Sequence, residues 1–312
     1  MKDFSCELYT PSMGCTQRYS EIRIKDLKNI TKYIENQDNT GLCEYFTSLL
    51  TELGADIHAN ELDRIDKFCI LLGLRIISIG PTLEMKFTCE STQKEFNYKL
   101  DLFDILQKIA DVEDLYRNNT VVLDENITIE LGFPAKFTYE NMDDIVFECL
   151  SKVTIKNRTF NIKSLSEIER ENILSLLPGS ISKDIVDFII KKQKLLNDVV
   201  FLDVKSPFTA NTDIIVAHFD GINDSIMEFI KTLYRVDITD MYNIIYILTS
   251  KLRFDAEYVE NNLTFAEAVI YLNKYKQELA DKEKAYKDQS QMGNSASTGQ
   301  PMPMQMPYNG IE

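Results

Sequence analysis

Residues able to do chemistry are scarce in this 312-residue chain. Its two histidines, His58 and His218, sit in no H-E-x-x-H motif and beside no cysteine that could serve as a nucleophile, so each is expected to be structural. Six cysteines, Cys6, Cys15, Cys43, Cys69, Cys89 and Cys149, are scattered without a single C-x-x-C pair, which argues against a disulfide framework and predicts reduced thiols. Cys43, Cys69 and Cys149 fall among apolar neighbours in predicted helices, where a thiol acts as a small hydrophobe. Cys89 stands at a strand end where a zinc ribbon would begin, but position 92 is threonine and no second pair follows, so the metal reading fails on ligand count. Neither a phosphate-binding loop nor G-x-G-x-x-G is present. Basic residues are few for the acidic ones, 34 against 49, and the net charge of −15 without a basic patch argues against a nucleic-acid partner. No apolar run approaches the roughly 20 residues of a membrane-spanning helix, and MKDFSCELYT lacks a basic segment followed by an apolar one. The expectation is a cytosolic protein with no membrane contact, no metal, no cofactor and no catalytic residues.

What the chain does have is pattern. Hydrophobic residues make up 44% of it, ample for a core. Leu62, Ile65, Cys69, Leu72 and Ile76 recur at steps of three and four, predicting a helix with one apolar and one polar face, ended at Gly80-Pro81. Leu83, Met85, Phe87 and Cys89 then alternate with polar residues, as do Phe96, Tyr98 and Leu100, giving a hairpin over 83–101. Upstream, residues 5–24 predict a hairpin turning at Pro11-Ser12-Met13-Gly14, then helices on Leu27, Ile30 and Ile34 and on Leu42, Phe46, Leu49, Leu50 and Leu53, the second stopped by Gly54. Downstream come a short helix over 102–109 and a hairpin pairing Val121 and Leu123 with Ile127, Ile129 and Leu131. A helix near Ile145 and Cys149 and a third hairpin over 153–162 follow. Overlapping capping boxes, Ser164 with Glu167 and Ser166 with Glu169, start a helix that Pro178-Gly179 ends. Ile181, Ile185, Phe188, Ile189 and Leu196 form a further helical stripe, and Val200, Leu202 and Val204 a strand paired with Ile214 and Val216. Asp220–Asp224 suggests a turn and helix cap rather than a calcium loop, and Asp143-Asp144 an acidic first helical turn.

The blocks ELYTPSMGCTQRYSEIRIKDL and LDRIDKFCILLGLRIISIG, followed by LEMKFTCESTQKEFNYKLDL, resemble the baseplate hub assembly proteins of T-even-type contractile-tailed bacteriophages. The order strand, Pro-Ser turn, strand, helices, an Arg75-containing helix end and a hairpin finishing in Asp101-Leu102 carries the likeness. Leu165 to Phe229 is similar to the family's final third, so the resemblance spans about residues 5–232. It implies a non-enzymatic, chaperone-like assembly factor that binds hub or tape-measure proteins in the host cell cytoplasm. The alternative is a permanent structural subunit of the virion tail.

The fold class is α+β: helices packed with several antiparallel hairpins, then an all-helical C-terminal segment and a disordered tail. The expected divisions are 1–110, 111–233, the helical 234–287 and the Gln-, Ser-, Pro- and Met-rich 288–312. Within 234–287, Tyr242, Ile245, Thr249 and Leu252 predict one helical face, and Thr264 with Glu267 caps a further helix. The segment weakly resembles small helical proteins that act alongside the hub assembly family. The stripe Phe265, Ala268, Leu272, Tyr275 and Leu279 is the candidate partner-binding surface, as in amphipathic helices that anchor in a groove. A core helix would carry the same stripe.

Overall fold

The structure is a computed structural model that describes residues 6–54, 61–89, 91–112, 115–117, 119–137, 148–177, 179–200, 202–208, 212–215 and 225–295. His58, His218, Asp143-Asp144, Asp220–Asp224, Ile145 and the tail beyond Ser295 lie outside the described residues.

One helix organises the body. α3 (Arg64–Ser78) starts where Asp63 accepts hydrogen bonds from the backbone N–H groups of Ile65 (2.8 Å) and Asp66 (2.9 Å), which satisfies donors that the first helical turn leaves open. Around it lie a hairpin of β1 (Cys6–Thr10) and β2 (Cys15–Tyr19), then α1 (Ile24–Glu35) and α2 (Asn39–Leu53). The β1–β2 hairpin approaches so closely that a Cβ on Gly73 would come to 2.5 Å from Leu8 Cδ2, so a larger residue here would require the Leu8 side chain to shift. After α3 come the hairpin β3 (Thr82–Thr88) and β4 (Glu95–Asp101), paired from Thr82↔Asp101 to Thr88↔Glu95, and α4 (Leu102–Ala110).

The polar side of α3 corrects the amphipathic reading. Arg64, Asp66, Lys67 and Arg75 are buried together with the apolar residues, so the helix runs through the middle of the body rather than along its edge. Buried polar groups require partners, and α3 bonds to a loop far along the chain through the Arg64 backbone N–H, which donates to Pro134 O (2.9 Å), and Lys67 Nζ, which donates to Ala135 O (2.8 Å).

The two hairpins that follow α4 join into one antiparallel sheet, in order β5 (Thr120–Asp124), β6 (Ile127–Leu131), β7 (Leu150–Ile155) and β8 (Arg158–Asn161). Its inner face, with Ile129, Leu131 and Val153, forms a second core together with Ile173 of α5 (Glu167–Leu174) and Ile185 and Phe188 of α6 (Ile181–Val200). The helix is capped by the Ser166–Glu169 box, Ser164 Oγ donates to Asn161 O, and α5 ends at Leu174, before residue 178. The two cores meet at the Phe133 and Phe188 rings, whose centroids are 6.1 Å apart. The small hairpin β9 (Leu202–Lys205) with β10 (Thr212–Ile215) and helix α7 (Ser225–Tyr234) complete the body, and α7 buries Ile226, Met227, Ile230 and Leu233 in the main core.

Beyond α7 the described chain is helical: α8 (Ile238–Tyr246), a π-helical turn over Ile247–Lys251, α9 (Ala256–Asn262) and α10 (Phe265–Ser295). The inward face is Met241, Ile244 and Leu248, while Tyr242 points outward, so the predicted face Tyr242, Ile245, Thr249 and Leu252 is corrected. A buried stripe at 241, 244 and 248 is already one residue out of phase with it, and the π turn rotates the downstream face by a further residue. The capping box of Thr264 and Glu267 forms as expected, with Thr264 N–H donating to Glu267 Oε2 at 2.9 Å. α10 continues to Ser295, past Asp288 where composition places the start of the tail.

Candidate interaction surface

The titratable groups brought together by the fold lie inside it. Asp63 and Asp66, at the start of α3, hold three separate segments: Asp66 accepts from Ser12 N–H (2.9 Å) and Ser12 Oγ (2.6 Å) in the β1–β2 turn, and Asp63 accepts from Tyr116 Oη (2.9 Å) after α4. Burial, reinforced by the neighbouring Asp66, pushes the Asp63 carboxyl up to about 7, while the backbone N–H groups of Asp66 and Ile65 and the Tyr116 hydroxyl oppose the rise. The phenol of Tyr116 and the thiol of Cys69 are pushed up by burial in the same place. With the acid enclosed by its own chain, this junction is a fastener between segments.

The fastener has a signature in pH. A carboxyl near 3.8 in the unfolded chain and near 7 in the folded one makes the native state bind the extra proton between those values, so its contribution is full below about 4 and is lost as pH rises through 7. Asp63→Asn keeps a capping oxygen and removes the titration. Relative to that variant, the wild type is expected to be most stable at about pH 4 and below, and to lose its advantage progressively by pH 8. Thermal midpoints of both proteins across that range measure it, and parallel curves would refute it.

Arg75 is the residue of the helix end that the family likeness singles out, and it too faces inward. Its Nε donates to Leu233 O at the end of α7 (2.6 Å), and its guanidinium nitrogens donate to Gly80 O and, at 3.5 Å, to Thr82 O. Burial lowers its pKa, opposed by the nearby Tyr234, whose hydroxyl donates to Leu71 O at 2.5 Å. Cys89 is also buried, and hydrogen bonds from Ser206, Ser91 and Thr92 pull its thiol below its ordinary value. Its neighbours are thus hydroxyls where a zinc site would need thiolates or imidazoles. Among the described residues no group of three or more His, Cys, Asp or Glu could hold a metal ion, and no helix is long and apolar enough to cross a membrane.

What the molecule offers outward is aromatic. Between β1 and α4 lies a groove of about 490 Å³ lined by Leu8, Tyr9, Phe103 and Leu106, with Phe103 55% exposed. On the C-terminal helices, Phe254 stacks on Tyr258 (6.3 Å, 10°) and leans on Tyr271 (5.0 Å), and Tyr242 and Tyr246 project from α8. Exposed tyrosines and phenylalanines on rigid helices supply large contact area at small entropic cost, the composition of the buried centre of protein interfaces.

The predicted stripe on α10 divides. Ala268 and Leu272 are buried against Ile24, Ile244, Leu248, Val259 and Leu263, and Phe265 packs partly into both neighbouring cores, so the first half of the stripe packs on the chain's own body. Tyr275 is half-buried and Leu279 exposed. Sequence periodicity could not separate the two halves, because a helix that packs on its own body and one that packs on a partner carry the same spacing. The groove beside Phe103 was missed. Its only signal was an aromatic residue on the polar side of α4's first turn.

The described residues form an α+β scaffold with a few charged groups buried at its segment junctions and several aromatics exposed on its surface. The chain belongs to the T4 bacteriophage base plate protein family, whose sequence profile matches residues 1–224. The match covers the body through β10 and leaves the C-terminal helices outside it. No curated protein and no solved structure gives a significant match.

Proposed function

We propose that the protein is a non-enzymatic assembly factor for the hub of a contractile tail's baseplate, acting in the host cell cytoplasm and binding hub or tape-measure proteins through its surface. Membership of the base plate protein family carries this reading. The outward aromatic groove at Tyr9 and Phe103, lying within the matched residues, supports a protein partner. The net charge of −15 disfavours nucleic acid. Co-expression with the hub and tape-measure proteins of the same virus, followed by pull-down, is expected to yield a complex. Phe103→Asp is expected to weaken capture at least about tenfold with little change in thermal midpoint, because a charge placed in an interface centre costs more than on an exposed helix. Failure to capture any of these proteins would overturn the proposal.

The family's description as a base plate protein favours one second reading, a subunit retained in the particle. Quantitative mass spectrometry of purified virions separates the two. Integral copy number supports the subunit, and absence or gross substoichiometry supports the assembly factor.

A further inference from the structure

Helix α10 leaves the body part-way along its length. Ala268 and Leu272 are buried against the chain, but from Asn273 to Asp288 every residue is exposed except the half-buried Tyr275. The apolar spacing does not stop there. Positions 265, 268, 272, 275, 279 and 286 alternate steps of three and four, interrupted only by Lys282, and Leu279 and Tyr286 stand 42% and 72% exposed. A stripe repeating every 3.5 residues is the seam of a two-stranded coiled coil. A single helix of this length is only marginally stable in water without a partner along it.

We propose that residues 273–288 of α10 pair with the same residues of a second copy of the chain, antiparallel. The flanking charges select both the partner and the direction. With 272, 279 and 286 at the a positions and 275 and 282 at d, the e positions hold Lys276 and Glu283 and a g position holds Glu278. A parallel pair would set Glu278 of each chain against Glu283 of the other and bring the two Lys282 side chains together, which is repulsive at both places, and would leave Lys276 facing Tyr271 without a carboxylate. An antiparallel pair layering Leu279 over Lys282 of the second copy puts Lys276 opposite Glu283 of the second copy, twice by the two-fold symmetry. Tyr275 then meets Tyr286 of the second copy. The aliphatic stem of each Lys282 covers a leucine while its ammonium reaches water.

The distribution of charge over the whole chain points the same way. Residues 273–288 hold five lysines and four carboxylates, so the rest of the chain carries the entire net negative charge. A parallel pair would place two acidic bodies side by side. The antiparallel one puts them at opposite ends of a segment about 24 Å long, well beyond the roughly 8 Å over which physiological salt screens charge. This pairing does not depend on the baseplate reading, and leaves the Phe103 groove open.

Sedimentation equilibrium of the full chain tests the pairing. The wild type is expected to rise with concentration from its monomer mass of 36.0 kDa towards twice that value. Lys276→Glu and Glu283→Lys alone should each raise the dimer Kd by about tenfold, since each turns two attractive pairs repulsive. An equimolar mixture of the two variants is expected to regain the wild-type affinity. Only the heterodimer sets the carboxylate introduced by K276E against the ammonium introduced by E283K on one side, and the native Lys276 against the native Glu283 on the other. The double variant, carrying the swapped pair, should regain it too, which distinguishes pairing from loss of helix. A wild type that stays monomeric to about 1 mM, variants that do not weaken, or a mixture no tighter than its components would each overturn the proposal.

Discussion

Removing residues 234–312 is expected to lower the thermal midpoint by more than about 10 °C or to prevent folding, whereas removing 276–312 should change it by only a degree or two. The C-terminal helices are anchored in the body from both sides. Met241 is buried in the main core, and Val236, Ile245 and Phe265 pack against it. In return Ile24 of α1 is buried in the core of the C-terminal helices. Its N–H donates to Leu263 O (2.9 Å), Arg23 donates to Asn262 O (3.0 Å), and Lys28 pairs with Glu260 (2.8 Å). Losing the burial of Met241 and Ile24 alone costs roughly 1.5–3 kcal/mol each, and the partly buried contacts and an orphaned backbone donor add to it. The sum approaches a domain's typical total of roughly 5–15 kcal/mol. Every residue from 276 to 288 is exposed, so a shortened chain ending at Tyr275 should unfold like the full one. Differential scanning calorimetry of the two truncations checks the contrast. A stable, cooperative 1–233 fragment would show that the helices are an independent appendage.

Arg75→Ala is expected to cost roughly 3–5 kcal/mol, among the largest effects of any single change, by the sum of lost donors and a cavity. The guanidinium fork ties the end of α3, the start of β3 and the end of α7 by reaching the carbonyl oxygens of Gly80, Thr82 and Leu233. Alanine would leave the carbonyl of buried Leu233 and that of half-buried Gly80 without this donor, at about 1–3 kcal/mol for a buried group, and would open a cavity beside Tyr234. Arg75→Lys should recover only part of the loss, since an ammonium is a point donor that does not reproduce the planar fork. The exposed Arg235, one residue past α7, serves as control, with a change within about 0.5 kcal/mol on substitution by alanine. Urea unfolding of the variants measures all three. An Arg75→Ala midpoint equal to that of Arg235→Ala would show that the fork is dispensable.

Local pattern determined a good deal by itself. The hairpins β1–β2, β3–β4 and β5–β6, the helices on Leu27, Leu42 and Ile65, and the caps at Ser166 and Thr264 are present where period two, period three to four and capping chemistry placed them. Each is decided within a few residues of chain, where side-chain spacing and backbone donors act directly. Family kinship was legible as well, because the order of those elements is written along the sequence.

The tertiary structure decided what depends on contacts distant in sequence. Period alone made α3 amphipathic, yet Asp63, Asp66 and Arg75 are satisfied by Tyr116, Ser12 and Leu233, residues 53 to 158 positions away, and only those partners allow a polar face to be buried. The joining of β6 to β7 across residues 132–149 was likewise invisible to a two-strand pattern. Most consequential is α10, whose single stripe is core at Ala268 and Leu272 and surface at Leu279. The spacing states that a helix has an apolar face, but only the position of the body's edge, set by α1, α8 and α9, determines where along that face the chain stops covering itself.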